Sequence, residues 1–204
     1  MSYESNRGMK GNKPKLSPAL MFVIKFLCLF AFIYGFYVLY LAMISPGGKL
    51  YSIFFDEHLN FINWLRYVLI ESSAAILNIL GYETKTNGYQ MLVVGHNVVH
   101  VGYDCLGFGV MSFFTAFVIG YPGVLKPKLY FWGIGMIVIQ LLNLSRFVTL
   151  SIYWRPTKNV YISDHHTIFN IIVYIVIAIS LYFYTRYQDK VILQSPLSWV
   201  KNEN

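Results

Sequence analysis

Uncharged apolar runs alternate with short polar segments along the chain. Residues 26–44 form the first run, which at about 1.5 Å of rise per residue can cross a hydrocarbon layer of about 30 Å as a helix. Three similar runs follow at residues 106–121, 129–150 and 168–184. The earliest of these has about 16 residues against the usual 20 or so, so it must tilt little or leave its ends near the membrane interface. Residues 60–80 are different. At about 100° per residue, Phe61, Ile62, Leu65, Val68, Leu69, Ile76, Ile79 and Leu80 fall on one face. Asn60, Asn63, Tyr67, Glu71 and Asn78 fall on the other, with Arg66 at its edge. Such two-sidedness fits a helix lying in the interface, or a span that turns its polar face into a bundle. Residues 89–94 and 98–101 are β-branched runs on either side of Gly95-His96-Asn97, the pattern of a small β-hairpin.

Composition turns this pattern into a fold class. The chain is 56% hydrophobic and 12% charged, where a soluble domain carries about a quarter charged residues. Its mean hydropathy is +0.52. The expectation is an all-α polytopic membrane protein, helical wherever it meets lipid. The net charge of +7 is explained by placement at the ends of apolar runs and not by nucleic-acid binding. Arg7, Lys10, Lys13 and Lys15 precede the first run, Lys126 and Lys128 lie between the second and third, and Arg186 and Lys190 follow the last. Positive residues stay in the cytoplasm, so both ends and residues 122–128 are expected there. Counting back from the C-terminal end puts Cys105 and residues 154–166 outside. Counting forward agrees only if residues 60–80 do not cross, which lays that helix along the outer surface. The expected architecture is therefore about four transmembrane helices, an outer interfacial amphipathic helix and a small extracytoplasmic β-hairpin. One integral domain, residues 19–187, lies in the cytoplasmic membrane between tails 1–18 and 188–204. The first run is read as a retained anchor, because the apolar part of a cleaved signal is only about 7–15 residues long.

Candidate chemistry gathers on the expected outer face: Cys105 in Gly102-Tyr103-Asp104-Cys105-Leu106-Gly107, Arg146 in an apolar run, and Asp164-His165-His166 before the last run. A cysteine nucleophile needs a thiolate, a proton carrier and a donor for the oxyanion that forms on an attacked carbonyl. Cys105, a histidine and Arg146 could supply the three. A charge within an apolar helix costs about 2.5–3.5 kcal/mol on insertion scales, so Arg146 is either functional or paired, with Asp104, Asp164 or Glu71 as the available carboxylates. Asp104 works against a thiolate at Cys105, and Arg146 or a protonated histidine works for it. The depth separating Cys28 from Cys105 is about 24 Å, far beyond the roughly 7 Å that a disulfide tolerates. His58, His96 and His100 are also on the outer side but show no metal-binding spacing, so no metal or cofactor is expected. On these residues alone, thiol chemistry, a non-catalytic scaffold for surface export and a histidine-based membrane hydrolase all stay open.

Cys105 with Gly107 after it, Asn143-x-x-Arg146 late in the next apolar run, and His166-x-x-Phe169-Asn170 opening the last together resemble the signature positions of the exosortase/archaeosortase family. The resemblance covers residues 84–184. The common family form around the nucleophile is Cys-Ser-Gly, where this chain has Cys105-Leu106-Gly107, and the chain is shorter than the eight-span members. The resemblance implies a polytopic cysteine protease or transpeptidase with Cys105 as nucleophile, Arg146 stabilising the substrate carbonyl or oxyanion, and His166 as acid/base. It also implies substrates among exported proteins that end in a sorting tag of short motif, transmembrane helix and basic residues. Membrane lipids are the other expected partners, and nucleic acid is not one.

Overall fold

The computed structural model describes residues 17–96, 98–153 and 165–194, leaving out the side chains of Asp104, residues 165–168 and Gln194. The order of elements is α1 (Pro18–Ile44), α2 (Ile53–His58), α3 (Phe61–Ile79), β1 (Thr84–Thr86), β2 (Gln90–Val93), β3 (Val98–His100), a 3-10 turn (Tyr103–Leu106), α4 (Phe108–Gly120), α5 (Leu125–Tyr153) and α6 (His165–Gln194). Among the described residues three helical stretches, Pro18–Ile44, Leu125–Tyr153 and Phe169–Leu193, are long and apolar enough to cross a membrane. α4 is apolar but has 13 residues, about 20 Å of helix.

Local chemistry sets several boundaries. α1 starts ahead of the apolar run because Ser17 caps it, its Oγ accepting from the Leu20 amide at 3.3 Å, with Pro18 preset for the first turn. Asn60 caps α3, its Oδ1 accepting from the Asn63 amide at 3.0 Å. At the far end of the chain α6 runs on to Gln194, and Gln188 is fully buried, its Oε1 accepting from the Val124 amide at 3.1 Å.

The contacts define two ends of the bundle. At one end Tyr37 of α1 stacks on Phe108 of α4 at 4.6 Å between ring centroids, and Tyr40 meets Phe61 of α3 at 4.8 Å. At the other, Phe22 packs edge-on to Phe117 and Tyr121 at 5.3 and 5.4 Å, and Phe131 of α5 stacks on Tyr184 of α6 at 4.3 Å. α1 and α5 therefore run one way and α4 and α6 the other. The second end carries Lys25, Lys126, Lys128, Arg186 and Lys190. Lys128 Nζ donates there to the Tyr121 carbonyl at 2.6 Å. The core divides accordingly: Met111, Phe114, Val118, Ile139, Val173, Ile177, Leu181 and Tyr184 knit α4, α5 and α6. Ile62, Leu69, Ile70, Leu77, Met91, Val93, Leu106 and Phe147 join α3 to the sheet, the turn and α5.

The expected hairpin is present, with Met91 opposite Val99 and Leu92 opposite Val98. Met91 and Val93 turn inward while Gln90 and Leu92 turn out, the alternation a half-buried sheet requires. A third strand, β1, pairs antiparallel with β2 at Thr84 and Val93. Its Thr-Lys-Thr sequence carries no alternation to read. The side of α3 buried in protein is Ile62, Arg66, Leu69, Ile70, Ser73, Ala74 and Leu77, which takes in Ile62 and Leu69 at one edge of the apolar face, while Leu65 packs partly buried against both core clusters. Phe61, Ile79 and Leu80 are exposed, and Arg66 is 2% exposed. The sheet and the turn cover α3 on the side next to the apolar stripe, leaving Trp64, Leu65 and Val68 to line an apolar groove with α1, α4 and α5.

Candidate active site

Cys105 lies in the 3-10 turn between the sheet and α4. Its amide donates to the Gly102 carbonyl at 3.1 Å. The turn ends at Gly107, whose φ of +77° is a left-handed conformation that suits glycine. The Gly107 carbonyl then accepts from Met111 at 2.9 Å and α4 begins. Leu106 is fully buried, and its carbonyl accepts from Asn143 Nδ2 of α5 at 3.2 Å. A carboxamide from the neighbouring helix thus fastens the end of the cysteine turn. A Cβ on Gly107 would overlap the Asn143 carboxamide. Gly107→Ala is expected to destabilise the fold by about 2–4 kcal/mol, from left-handed strain and overpacking together. Thermal unfolding in detergent would measure this, and an unchanged midpoint would mean that Asn143 does not hold the turn.

Asn143 and Arg146 are three residues apart and neighbours on the surface of α5. Arg146 is 6% exposed, and its guanidinium divides between two other elements. Nη2 points to Cys105 Sγ at 3.9 Å, and Nη1 donates to Asn170 Oδ1 of α6 at 3.4 Å. Residues from the turn, α5 and α6 are thereby joined across 41 and 24 positions of sequence. They border a cavity of ≈ 900 Å³, lined also by Tyr34, Gly107, Val110, Phe113, Asn143 and Tyr174. Arg146 lies about 10 Å along its helix from Tyr153, so the thiol is recessed below the end of α5. Toward the other end the cavity meets, at Phe113, Tyr174 and Ile177, an apolar groove of ≈ 460 Å³ between α4 and α6 that reaches Thr185. The separate groove of ≈ 690 Å³ lined by Trp64, Leu65 and Val68 contains no cysteine, histidine, carboxylate or basic side chain.

Of the expected site residues, Cys105 and Arg146 come together. His166 lies in the first turn of α6, about one helical turn ahead of Asn170, and its side chain lies outside the described residues. Asp164 and the Asp104 side chain also lie outside them. Glu71, a candidate ion-pair partner for Arg146, accepts instead from Thr86 Oγ1 of β1 at 2.8 Å. His58 stacks on Phe54, His96 packs edge-on to Tyr82, and His100 Nδ1 lies 3.4 Å from Gln90 Nε2. Among the described residues no three metal-ligating side chains come together, and Cys28 and Cys105 are both free thiols. Asn143 and Asn170 belong to the site as well. In the sequence they stand only as parts of the motifs Asn143-x-x-Arg146 and His166-x-x-Phe169-Asn170, with no role read for either.

The arrangement places a cation beside a partly buried cysteine in a cavity whose lining is part apolar and part polar. Away from bulk water a positive group stabilises a developing oxyanion more strongly than it would in water. No protein-family model matches the chain, and neither a search of curated proteins nor one of solved structures gives a match.

Proposed function

We propose that this chain is a membrane-embedded cysteine peptidase or transpeptidase of the exosortase kind, which removes a C-terminal sorting tag from exported proteins. The observation that carries the reading is the approach of Arg146 Nη2 to Cys105 Sγ at 3.9 Å, with Asn170 on the other arm of the same guanidinium. The thiolate attacks the carbonyl carbon of the amide ahead of the tag helix, and the carbonyl π electrons move to oxygen. Arg146 stabilises that oxyanion. Collapse of the intermediate breaks the C–N bond, His166 protonates the departing amine, and the thioester stays on Cys105. An acceptor amine, a glycan-linked nucleophile or water then attacks the thioester and frees the thiol. The apolar groove running from the cavity to Thr185 offers room beside α4 and α6 for the tag helix. The recessed thiol would meet a bond near the membrane surface.

In this reading α1, α4, α5 and α6 cross the cytoplasmic membrane, the lysine-bearing end faces the cytoplasm and the sheet lies outside. α3 lies along the outer surface, its exposed Phe61, Trp64 and Tyr67 at the depth where aromatic residues collect. A topology reporter fused near Gly81 should behave as extracytoplasmic, and a cytoplasmic signal would overturn this orientation. The activity is tested by co-expression with an exported reporter that ends in a short motif, an apolar helix and basic residues. The reporter should be released from its helix, and an unprocessed reporter across a panel of such tags would count against the proposal.

A further inference from the structure

Arg66 of α3 is the most deeply buried charged side chain among the described residues, at 2% exposure. Its guanidinium carbon lies 4.1 Å from the centroid of the Tyr103 ring and 4.9 Å from that of Tyr89, and its Nε has no hydrogen-bond partner. A guanidinium taken out of water is expensive, and an apolar side chain of similar length would fill the same space at lower cost. The arginine is better explained by what its two rings are attached to. Tyr103 opens the 3-10 turn that holds Cys105. The Tyr89 carbonyl accepts from the Val101 amide at 3.0 Å, and Val101 is a buried residue just ahead of Gly102, whose carbonyl accepts from Cys105 N. One ring therefore belongs to the turn that carries the thiol and the other to backbone hydrogen-bonded to its approach, and one planar cation, able to contact both, ties them to α3.

We propose that Arg66 is a positioning residue for Cys105: stacked between Tyr89 and Tyr103, it fixes the turn so that Sγ stays beside Arg146. The proposal rests on reading Cys105 as a reactive thiol, and it adds a residue that does not touch the reacting atoms. The contact it protects is a sensitive one. At 3.9 Å the Arg146 donor is near the outer limit for an interaction with sulfur, so a small displacement of the turn ends it.

The test is the rate at which iodoacetamide alkylates Cys105 in the full chain carrying Cys28→Ser, read by mass spectrometry on folded protein. Arg66→Met should slow alkylation about tenfold, the scale of a desolvated cation–π contact, and Arg66→Lys should recover part of the rate. In an Arg146→Gln background, Arg66→Met should add less than about twofold, because its effect passes through Arg146. A merely structural role has the opposite signature: a loosened turn exposes a half-buried thiol and speeds its alkylation. Alkylation as fast as the parent or faster in Arg66→Met, or equal slowing in both backgrounds, overturns the proposal. If Arg66→Met does not fold, Tyr103→Leu and Tyr103→Phe decide it. Leucine, which lacks the ring face, should slow alkylation more than phenylalanine, and equal rates overturn the proposal. Alkylation requires no peptide substrate, so a failure of the peptidase reading would show separately, as tag cleavage that persists without Cys105.

Discussion

On the proposed function, Cys105→Ala should abolish release of a tagged reporter, a loss of about 10,000-fold or more, as removal of a nucleophile causes in acyl-transfer enzymes. The protein should otherwise accumulate normally. Cys105 is only partly buried and packs at the margin of the α3–sheet core, so losing its sulfur removes little apolar contact. Cys105→Ser is the more searching variant. The hydroxyl can make the same contact with Arg146 but is a far weaker nucleophile at neutral pH. Cleavage should fall nearly as far as with alanine. When an acceptor is withheld, the parent protein should retain substrate as a hydroxylamine-labile thioester, which intact-mass measurement of the trapped protein would detect. Cleavage at the parent rate in Cys105→Ser would assign the chemistry to a histidine and end the thiol mechanism. A scaffold role would show as no cleavage by any form of the chain.

The features legible in the sequence were those controlled by lipid and by period. Apolar length marked α1, α5 and α6, and the alternation around Gly95 marked the β2–β3 hairpin. The pairing of Cys105 with Arg146 followed from charge counting, because an alternating up-and-down chain brings the start of α4 level with the late part of α5. The features that escaped depend on which neighbour a helix meets. For α3 the hydrophobic pattern was read as if lipid were its apolar partner. The side of α3 that meets protein accepts Arg66 and Ser73: the Leu69 carbonyl takes the Ser73 hydroxyl at 2.7 Å, and the Tyr103 and Tyr89 rings face a guanidinium whose Nε makes no hydrogen bond. Leu106 and Gly107 also make sense only in three dimensions. Leu106 fills the core and offers its carbonyl to Asn143, while Gly107 lets the Asn143 carboxamide come close. Leu106 thus supplies an apolar anchor for the turn.

Arg146→Gln should lower kcat for tag cleavage by about 100- to 1,000-fold, or about 2.7–4 kcal/mol, with KM changing much less, because an oxyanion donor acts in the transition state and not on the bound substrate. Arg146→Lys should recover little. The guanidinium places one arm at the thiol and the other at Asn170, two directions that a single ammonium on a flexible stem cannot hold together. The split between kcat and stability separates catalysis from simple pairing. A buried arginine kept only for an ion pair would, when lost, leave its partner uncompensated, at about 3–5 kcal/mol, and would reduce the amount of folded protein while each folded molecule still worked. An arginine kept for chemistry should do the reverse, leaving folded yield largely intact and each molecule slow. Measuring cleavage per folded molecule in proteoliposomes, alongside thermal unfolding, distinguishes the two. The geometry favours the second outcome: the turn that carries Cys105 is already held by Gly102, Asn143 and the Arg66 stack, so Arg146 can be removed without releasing the backbone it faces.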